Sequence, residues 1–171
     1  MSNDCAVVGA TARGLAERLR ALEAVLSRLD DATYLWQPDG GVSGTIGAHV
    51  RHCLDHVDAV LAWRVGTVLS YDHRRRATLI EHDRRAARHR LLAVAEELER
   101  FAGPTAALVL SLEISRHEAA VETPTSLARE FAFVLQHTIH HQAVIGVLLA
   151  MHHVPVPAGF GLAPSTPLPA T

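Results

Sequence analysis

Residues 49–56, HVRHCLDH, decide the fold of this chain, because they combine a helical apolar pattern with three histidines. Apolar side chains recur at about 100° per residue around this stretch and predict a buried helical stripe: Ile46, Val50, Cys53, Leu54, Val57, Val60 and Leu61. His49, His52 and His56 line one flank of that stripe. The stretch therefore predicts a core helix that carries imidazoles beside its buried face.

A second histidine cluster, HTIHH at residues 137–141, lies in another segment with helical periodicity. His137 and His141 fall within the buried stripe at i, i+4 spacing, so both project over the same side of the helix. His140 is turned roughly 80° away and should flank that pair. Glu130 lies two turns before His137 and points the same way. The two clusters together hold six of the chain's 12 histidines.

Imidazoles on apolar helix faces are costly to bury unless their nitrogens have partners, and one metal ion can satisfy several of them. Two such helices packed face to face would offer a three-histidine site. Neutral imidazole suits Zn, Ni, Cu or Fe, and Zn is the ion that we expect first. The alternative for each histidine taken singly is an ordinary core or surface role.

Length and composition indicate one soluble globular domain over residues 1–171. The hydrophobic content is 49% and the charged content 20%, values typical of a chain with one good core. A net charge of −2 provides no field that would attract nucleic acid or an anionic membrane. No uncharged apolar run reaches about 18 residues, and Arg13 and Glu17 lie in the first helical segment, so we expect a cytoplasmic protein without a signal peptide.

The cysteines and the absence of lysine limit the kinds of catalytic chemistry that this chain can carry out. Cys53 lies in the apolar stripe and is expected to be a small core residue, with a soft metal ligand as the minor alternative. All 16 basic residues are arginines, which excludes Schiff-base chemistry on lysine.

Four long helical segments account for most of the chain. We expect them at about residues 12–28, 45–69, 75–101 and 123–152, with Thr123 and Pro124 opening the last one. Residues 106–123 look extended and predict a short β-hairpin before the last helix. The Pro/Gly-rich tail, residues 154–171, should be irregular, although Phe160 and Leu162 indicate that it docks on the helices, which occupy about residues 12–153.

Two further features have both a functional and a structural interpretation. The arginine run at residues 73–77 could hold an anionic group, but it is more typical of a solvated helix start. Tyr34 and Trp36 could cover a pocket mouth, although packing over the end of the helices is the more common explanation. The histidines outside the two clusters are expected at the surface: His73, His82, His89, His117, His152 and His153.

The stretch TIGAHVRHCLDH, taken with HTIHHQ on the last helix, resembles the DinB-like superfamily of four-helix metal-binding proteins. The resemblance covers most of the chain. It implies an up-down-down-up four-helix bundle, commonly dimeric, with water or substrate completing the metal site. In that family one histidine comes from the second helix and two come from a His-x-x-x-His pair on the last helix. Carried over by position, the implied ligands are His52, His137 and His141.

This sequence exceeds the family pattern, because His49 and His56 flank His52, and His140 accompanies the later pair. The choice of ligand on the second helix therefore stays open. Relatives in the family include transferases and isomerases that use low-molecular-weight thiols such as bacillithiol or mycothiol, which implies a small-molecule substrate and a metal that lowers the pKa of a thiol.

Three hypotheses follow. The first is a metal-dependent enzyme in which Glu130 orients a ligand or acts as general base, and His49, His56 and His140 assist proton transfer. For Glu130 a helix-start charge is the structural alternative. The second is a non-catalytic metal-binding or stress-response module with a closed site. The third is a plain helical bundle whose histidines only pack. A homodimer is expected, with neither nucleic acid nor membrane as a partner.

Overall fold

Six helices and a small three-stranded sheet make up the parts of the chain that the structure, a computed structural model, describes: residues 3–40, 43–72, 78–103 and 106–167. The helices are α1 (Asn3–Leu26), α2 (Asp31–Leu35), α3 (Ile46–Ala62), α4 (Leu79–His82), α5 (Arg84–Glu99) and α6 (Leu127–Met151). The strands are β1 (Val68–Ser70), β2 (Ala107–Leu112) and β3 (Val121–Ser126). The predicted arginine-run site at residues 73–77 lies outside the described residues.

Helix α1 packs against α5 and α6. Its leucines at three- and four-residue spacing are fully buried, as the periodicity predicted: Leu15, Leu19, Leu22 and Leu26. Arg88 on α5 forms an ion pair with Glu23 at 2.7 Å, and Arg84 donates to the carbonyl of Leu26 at 3.0 Å. Later residues of α1 thus meet earlier residues of α5, so these two helices run antiparallel.

Helices α1 and α6 run in the same direction, unlike α1 and α5. A Cβ placed on Gly14 would lie 3.6 Å from Leu135, and Gln142 donates its Nε2 hydrogen to the carbonyl of Arg18 at 2.7 Å. Positions increase together along both helices, which are therefore parallel. Gln142 is fully buried, so this hydrogen bond satisfies a group that burial would otherwise penalise.

Helix α3 begins where the sequence predicts and ends earlier. The Thr45 side chain accepts a hydrogen bond from the amide of Ala48 and caps the helix. The helix was predicted to reach Leu69 but ends at Ala62, where Arg64 donates to the carbonyls of Leu61 and Trp63 at 2.8 Å each. These donations satisfy carbonyls that the terminated helix leaves without partners.

The predicted hairpin is part of a larger mixed sheet. Strands β2 and β3 pair antiparallel, whereas β1 adds to β2 in parallel. The expectation of an all-α chain with at most a hairpin is thus corrected: the protein is mainly helical with a three-stranded sheet. Residues 68–70 were assigned to a helix because their apolar character does not reveal a strand partner 41 positions further along, the Val68 to Val109 register.

The third predicted helix is interrupted. Asp83 adopts an extended backbone (φ −123°, ψ 103°) and its side chain accepts hydrogen bonds from the amides of Arg85 and Ala86. This N-cap starts α5 and separates it from the single turn of α4. The connection between α1 and α3 holds the five-residue helix α2. Its Tyr34 is fully buried and donates its hydroxyl hydrogen to the carbonyl of Ile80 at 2.7 Å. Tyr34 is therefore a core residue and does not cover a pocket mouth.

The last helix begins later than predicted. Thr123 and Pro124 belong to β3, an edge strand, where a missing amide hydrogen is tolerated. Ser126 instead caps α6 by accepting from the amide of Arg129 at 3.2 Å. By length and composition alone α6 is apolar enough to cross a membrane, a test that core helices of soluble proteins also pass. Here it packs between α1 and α3.

Candidate metal centre

The two histidine clusters meet across the interface between α3 and α6. The Nε2 atoms of His52 and His137 lie 2.9 Å apart, and the Nδ1 atoms of His49 and His141 lie 3.0 Å apart. Because earlier α3 residues pair with later α6 residues, the helices run antiparallel. The cross-helix arrangement brings all four imidazoles to one stretch of the interface.

Three ring nitrogens form a group of metal-binding dimensions. His52, His56 and His137 each contribute one nitrogen, and these atoms all lie within 4.8 Å of one another. Nitrogens bound to one tetrahedral zinc ion are about 3.3 Å apart, from a bond length of about 2.05 Å. Small side-chain movements would therefore suffice to accommodate an ion.

His141 lies beside this group. Its ring centroid is 4.5 Å from that of His52 and 4.6 Å from that of His137, and the last two are 4.9 Å apart. The three residues that the family resemblance implies as ligands are thus close neighbours. In the structure Nδ1 of His141 contacts His49. The observed nitrogen group contains His52, His56 and His137, and the ligands implied by the resemblance are His52, His137 and His141. The two sets therefore share His52 and His137.

His56 is the most buried of the six histidines, with 5% of its surface exposed. Its Nδ1 lies 2.9 Å from the carbonyl oxygen of His52. A carbonyl only accepts, so Nδ1 carries the hydrogen and Nε2 is the lone-pair nitrogen. The backbone of α3 thereby sets the tautomer that a metal ligand requires.

His140 is exposed and flanks the cluster, as its position on the helix predicted. Its ring lies 5.1 Å from that of His141 and 6.5 Å from that of His137. Among the histidines predicted at the surface, His82, His89, His117 and His153 are exposed. His152 is half-buried and packs on Trp36 with ring centroids 5.0 Å apart, and His73 lies outside the described residues.

Burial favours the neutral form of two of the clustered histidines, His49 and His141. Desolvation, with the neighbouring charges of His137, His49, His140 and His56, lowers the pKa of His141 to about 3. Desolvation also lowers the pKa of His49; the nearby Ser43 backbone opposes this shift and His140 adds to it. Neutral imidazole is the form that binds a metal ion, so near neutral pH these rings need not release a proton first.

Glu130 lies in a buried hydrogen-bonded pocket beside the histidines, with 2% of its surface exposed. The Tyr71 hydroxyl donates to Oε2 at 2.9 Å and the Thr125 hydroxyl donates to Oε1 at 2.7 Å. The Tyr71 ring stacks on His56, with centroids 5.0 Å apart and planes inclined by 13°. Glu130 thus reaches the cluster through Tyr71, an arrangement that differs from direct orientation of a ligand histidine.

Sequence reasoning missed three residues of this site: Tyr71, Thr125 and Phe133. The Phe133 ring stacks on His137 at 5.5 Å and packs against Tyr71 at 5.3 Å. Phe133 is one turn before His137 on α6, a spacing that could have identified it. Thr125 lies two residues before the start of α6, so its position just ahead of Glu130 could have identified it. Tyr71 follows β1, and nothing local in the sequence links it to α6.

The donor chemistry fits a divalent transition metal. Nε2 of His49 is buried and has no hydrogen-bond partner among the described residues, and such an atom calls for a ligand or water. Cys53 is fully buried, and desolvation raises the pKa of its thiol to about 12. Because the thiolate is the form that binds metals, Cys53 is a core residue and the donors are imidazoles.

Comparison with known proteins gives two similarities. A family model described as the DinB superfamily matches residues 15–145. FK506-binding protein 5 of Rhizopus delemar is 36% identical over 103 residues, which cover 58% of this chain and 27% of that protein. The chain therefore spans only about a quarter of this relative, whose name describes the larger protein. No solved structure matches.

Proposed function

This chain belongs to the DinB superfamily, and from that premise we propose that it is a metal-dependent enzyme whose divalent ion is held by three imidazoles between α3 and α6. The observation that carries the proposal is the approach of three histidine nitrogens from two helices to within 4.8 Å of one another. Zinc is the expected ion, with nickel, copper and iron as alternatives for an all-imidazole donor set.

His52 and His137 are the central ligands, because they are common to the family pattern and to the observed nitrogen group. We assign the third position to His141 from the family pattern, with its ring 4.5 and 4.6 Å from the other two. His56 is the alternative third ligand, since one of its ring nitrogens already belongs to the nitrogen group. Three protein ligands would leave a coordination position open for a substrate, as catalytic zinc sites require.

A bound divalent ion supplies Lewis-acid chemistry that lowers the pKa of a thiol or water at the open position. Other residues of the protein shape the environment of the candidate metal centre. Tyr71 and Phe133 pack aromatic surface against His56 and His137 and exclude water from that side. Glu130 holds Tyr71 in place through a buried hydrogen bond. The exposed His140, whose ring lies 5.1 Å from that of His141, is the group that would take up or release a proton during the reaction.

The proposed reaction class is transfer from a low-molecular-weight thiol to a small electrophilic substrate, by analogy with the family. We further propose an up-down-down-up order for the four long helices. It is supported by antiparallel contacts of α1 with α5 and of α3 with α6, and by parallel contact of α1 with α6. A cytoplasmic homodimer is part of the same proposal.

Elemental analysis of tag-free protein tests the metal site. Wild type should contain near-stoichiometric transition metal, and His52→Ala and His137→Ala should lose it. His89→Ala is the matched control, because His89 is exposed on α5 outside the cluster, and should retain the metal. Wild-type protein that stays metal-free after refolding with several ions would contradict the proposal and favour a structural helical bundle.

A non-catalytic metal-binding module is the second candidate, because His56 and His141 both lie close enough to His52 and His137 to complete a four-imidazole site. The visible spectrum of cobalt-substituted protein distinguishes the enzyme from the non-catalytic module. An enzyme with an open position should change its visible spectrum when a small thiol is added. An unchanged spectrum, with stoichiometric cobalt, would favour the closed binding module.

A further inference from the structure

A cleft of about 510 Å³ lies between α1 and the C-terminal segment, and none of the six clustered histidines lines it. Its walls are mainly apolar and include Ala24 and Val25 of α1 together with Pro157 and Phe160 of the tail. This volume falls within the range of pockets that bind small molecules, about 300–1,000 Å³.

The tail wall of this cleft is fixed by a close approach to α6. Gly161 has a φ of +73°, and a Cβ at this position would lie 2.5 Å from the Cα of Ala143. Only glycine allows the tail to lie this close to the helix. The amide of Phe160 donates to the carbonyl of Pro157 at 3.1 Å, and the Phe160 ring packs against the core. The prediction that the tail docks is thereby confirmed, and the cleft has two built walls.

Two arginines, Arg18 and Arg28, lie at this cleft. Arg18 lies within α1, whereas Arg28 follows the end of that helix at Leu26. Within residues 3–40, 43–72, 78–103 and 106–167, neither guanidinium forms an ion pair, whereas Arg20 of the same helix binds Glu99 at 2.9 Å. The cleft therefore combines an apolar surface with two guanidinium groups that have no carboxylate partner in the described chain.

We propose that this cleft binds a small amphipathic anion, in which an aliphatic body covers the apolar walls and a carboxylate head pairs with Arg18 or Arg28. Guanidinium groups bind carboxylates through paired N–H donors, and burial of the aliphatic body supplies the hydrophobic contribution. The site is separate from the histidine cluster, so it does not rest on the proposed enzyme activity.

Isothermal titration of the full-length protein with dodecanoate, below its micelle-forming concentration, tests the site. Wild type should show saturable binding, and the neutral probe dodecan-1-ol should bind more weakly. Arg18→Gln or Arg28→Gln should lower the affinity for dodecanoate about tenfold, the effect of losing one charge-assisted contact. Arg13→Gln is the matched control, because it removes the same charge from α1 outside the cleft and should bind like wild type.

A second variant tests the cleft without changing charge. Ala24 is exposed on α1, so Ala24→Trp should fold and should fill the cleft, abolishing dodecanoate binding. Non-saturable uptake by wild type, undiminished binding by Ala24→Trp, or equal affinities of the Arg13, Arg18 and Arg28 variants would each overturn the proposal. Metal content measured on the same samples should not change, which keeps this outcome distinct from that of the metal site.

Discussion

The hydroxyl of Tyr71 donates a hydrogen bond to Oε2 of Glu130 at 2.9 Å, and both side chains are buried. Tyr71 follows β1 and Glu130 lies in the first turn of α6, so the bond ties the sheet to a histidine-bearing helix. The ring of the same tyrosine stacks on His56 of α3. One tyrosine thus serves stability through its hydroxyl and the candidate metal centre through its ring.

The first prediction separates these two roles. Tyr71→Phe keeps the ring but leaves a buried carboxylate oxygen without its donor, so the free energy of unfolding should fall by about 1–3 kcal/mol. Metal affinity should remain near that of wild type. Tyr71→Ala should also lower the metal affinity, by about tenfold, because the support of His56 is lost. Urea unfolding and competition with a chromophoric chelator measure the two quantities. Equal metal affinities of the Phe and Ala variants would contradict a positioning role for the ring.

The second prediction concerns ionisation of the chain's two tyrosines. Desolvation raises the pKa of Tyr34, and desolvation together with the charge of Glu130 raises the pKa of Tyr71. Above about pH 10 the unfolded chain loses phenolic protons that the folded protein keeps, so stability should decrease as pH rises. The ultraviolet signal of tyrosinate should therefore appear together with loss of circular dichroism. Tyrosinate in a folded protein near pH 10 would contradict this prediction.

The third prediction identifies the third ligand. If His141 completes the set with His52 and His137, His141→Gln should weaken metal binding by more than about a hundredfold, and His56→Gln by only about tenfold as a supporting residue. Chelator competition with zinc measures both. The reverse order would assign the third position to His56 and contradict the family-based choice. Circular dichroism of the metal-free variants checks that each still folds.

Local patterns predicted the helix faces because burial follows periodicity within one element. The apolar residues of the stripes on α1, α3 and α6 are buried as expected. The two histidine clusters meet, with His137 and His141 half-buried. Element ends were less predictable. The stretch at Pro124 resembles a helix start, yet pairing with Val109 keeps it in β3, and the Ser126 cap was overlooked. Asp83 was likewise a readable cap signal within an arginine-rich segment.

Contacts between elements could not be read from periodicity. His52 and His137 are 85 residues apart in sequence and their 2.9 Å approach depends on the register of two packed helices. Tyr71 reaches Glu130 across 59 residues because β1 pairs with β2 in parallel, a pairing that no local pattern indicates. The sequence therefore identified the clustered histidines and Glu130, whereas Tyr71, which connects Glu130 to His56, became apparent only in the folded chain.

The last prediction tests the close approach at the start of α3. A Cβ on Gly47 would lie 2.2 Å from the carbonyl oxygen of Glu81 and 2.9 Å from the Tyr34 ring. Gly47→Ala should push α4 away and lower the free energy of unfolding by about 1–3 kcal/mol, a typical overpacking cost. Gly14→Ala is the control, because its Cβ would meet Leu135 at an ordinary 3.6 Å. Within α1 it should raise stability by about 0.5–1 kcal/mol. Urea unfolding of both variants measures the difference, and a Gly47→Ala protein as stable as Gly14→Ala would contradict the observed packing of α4 on α3.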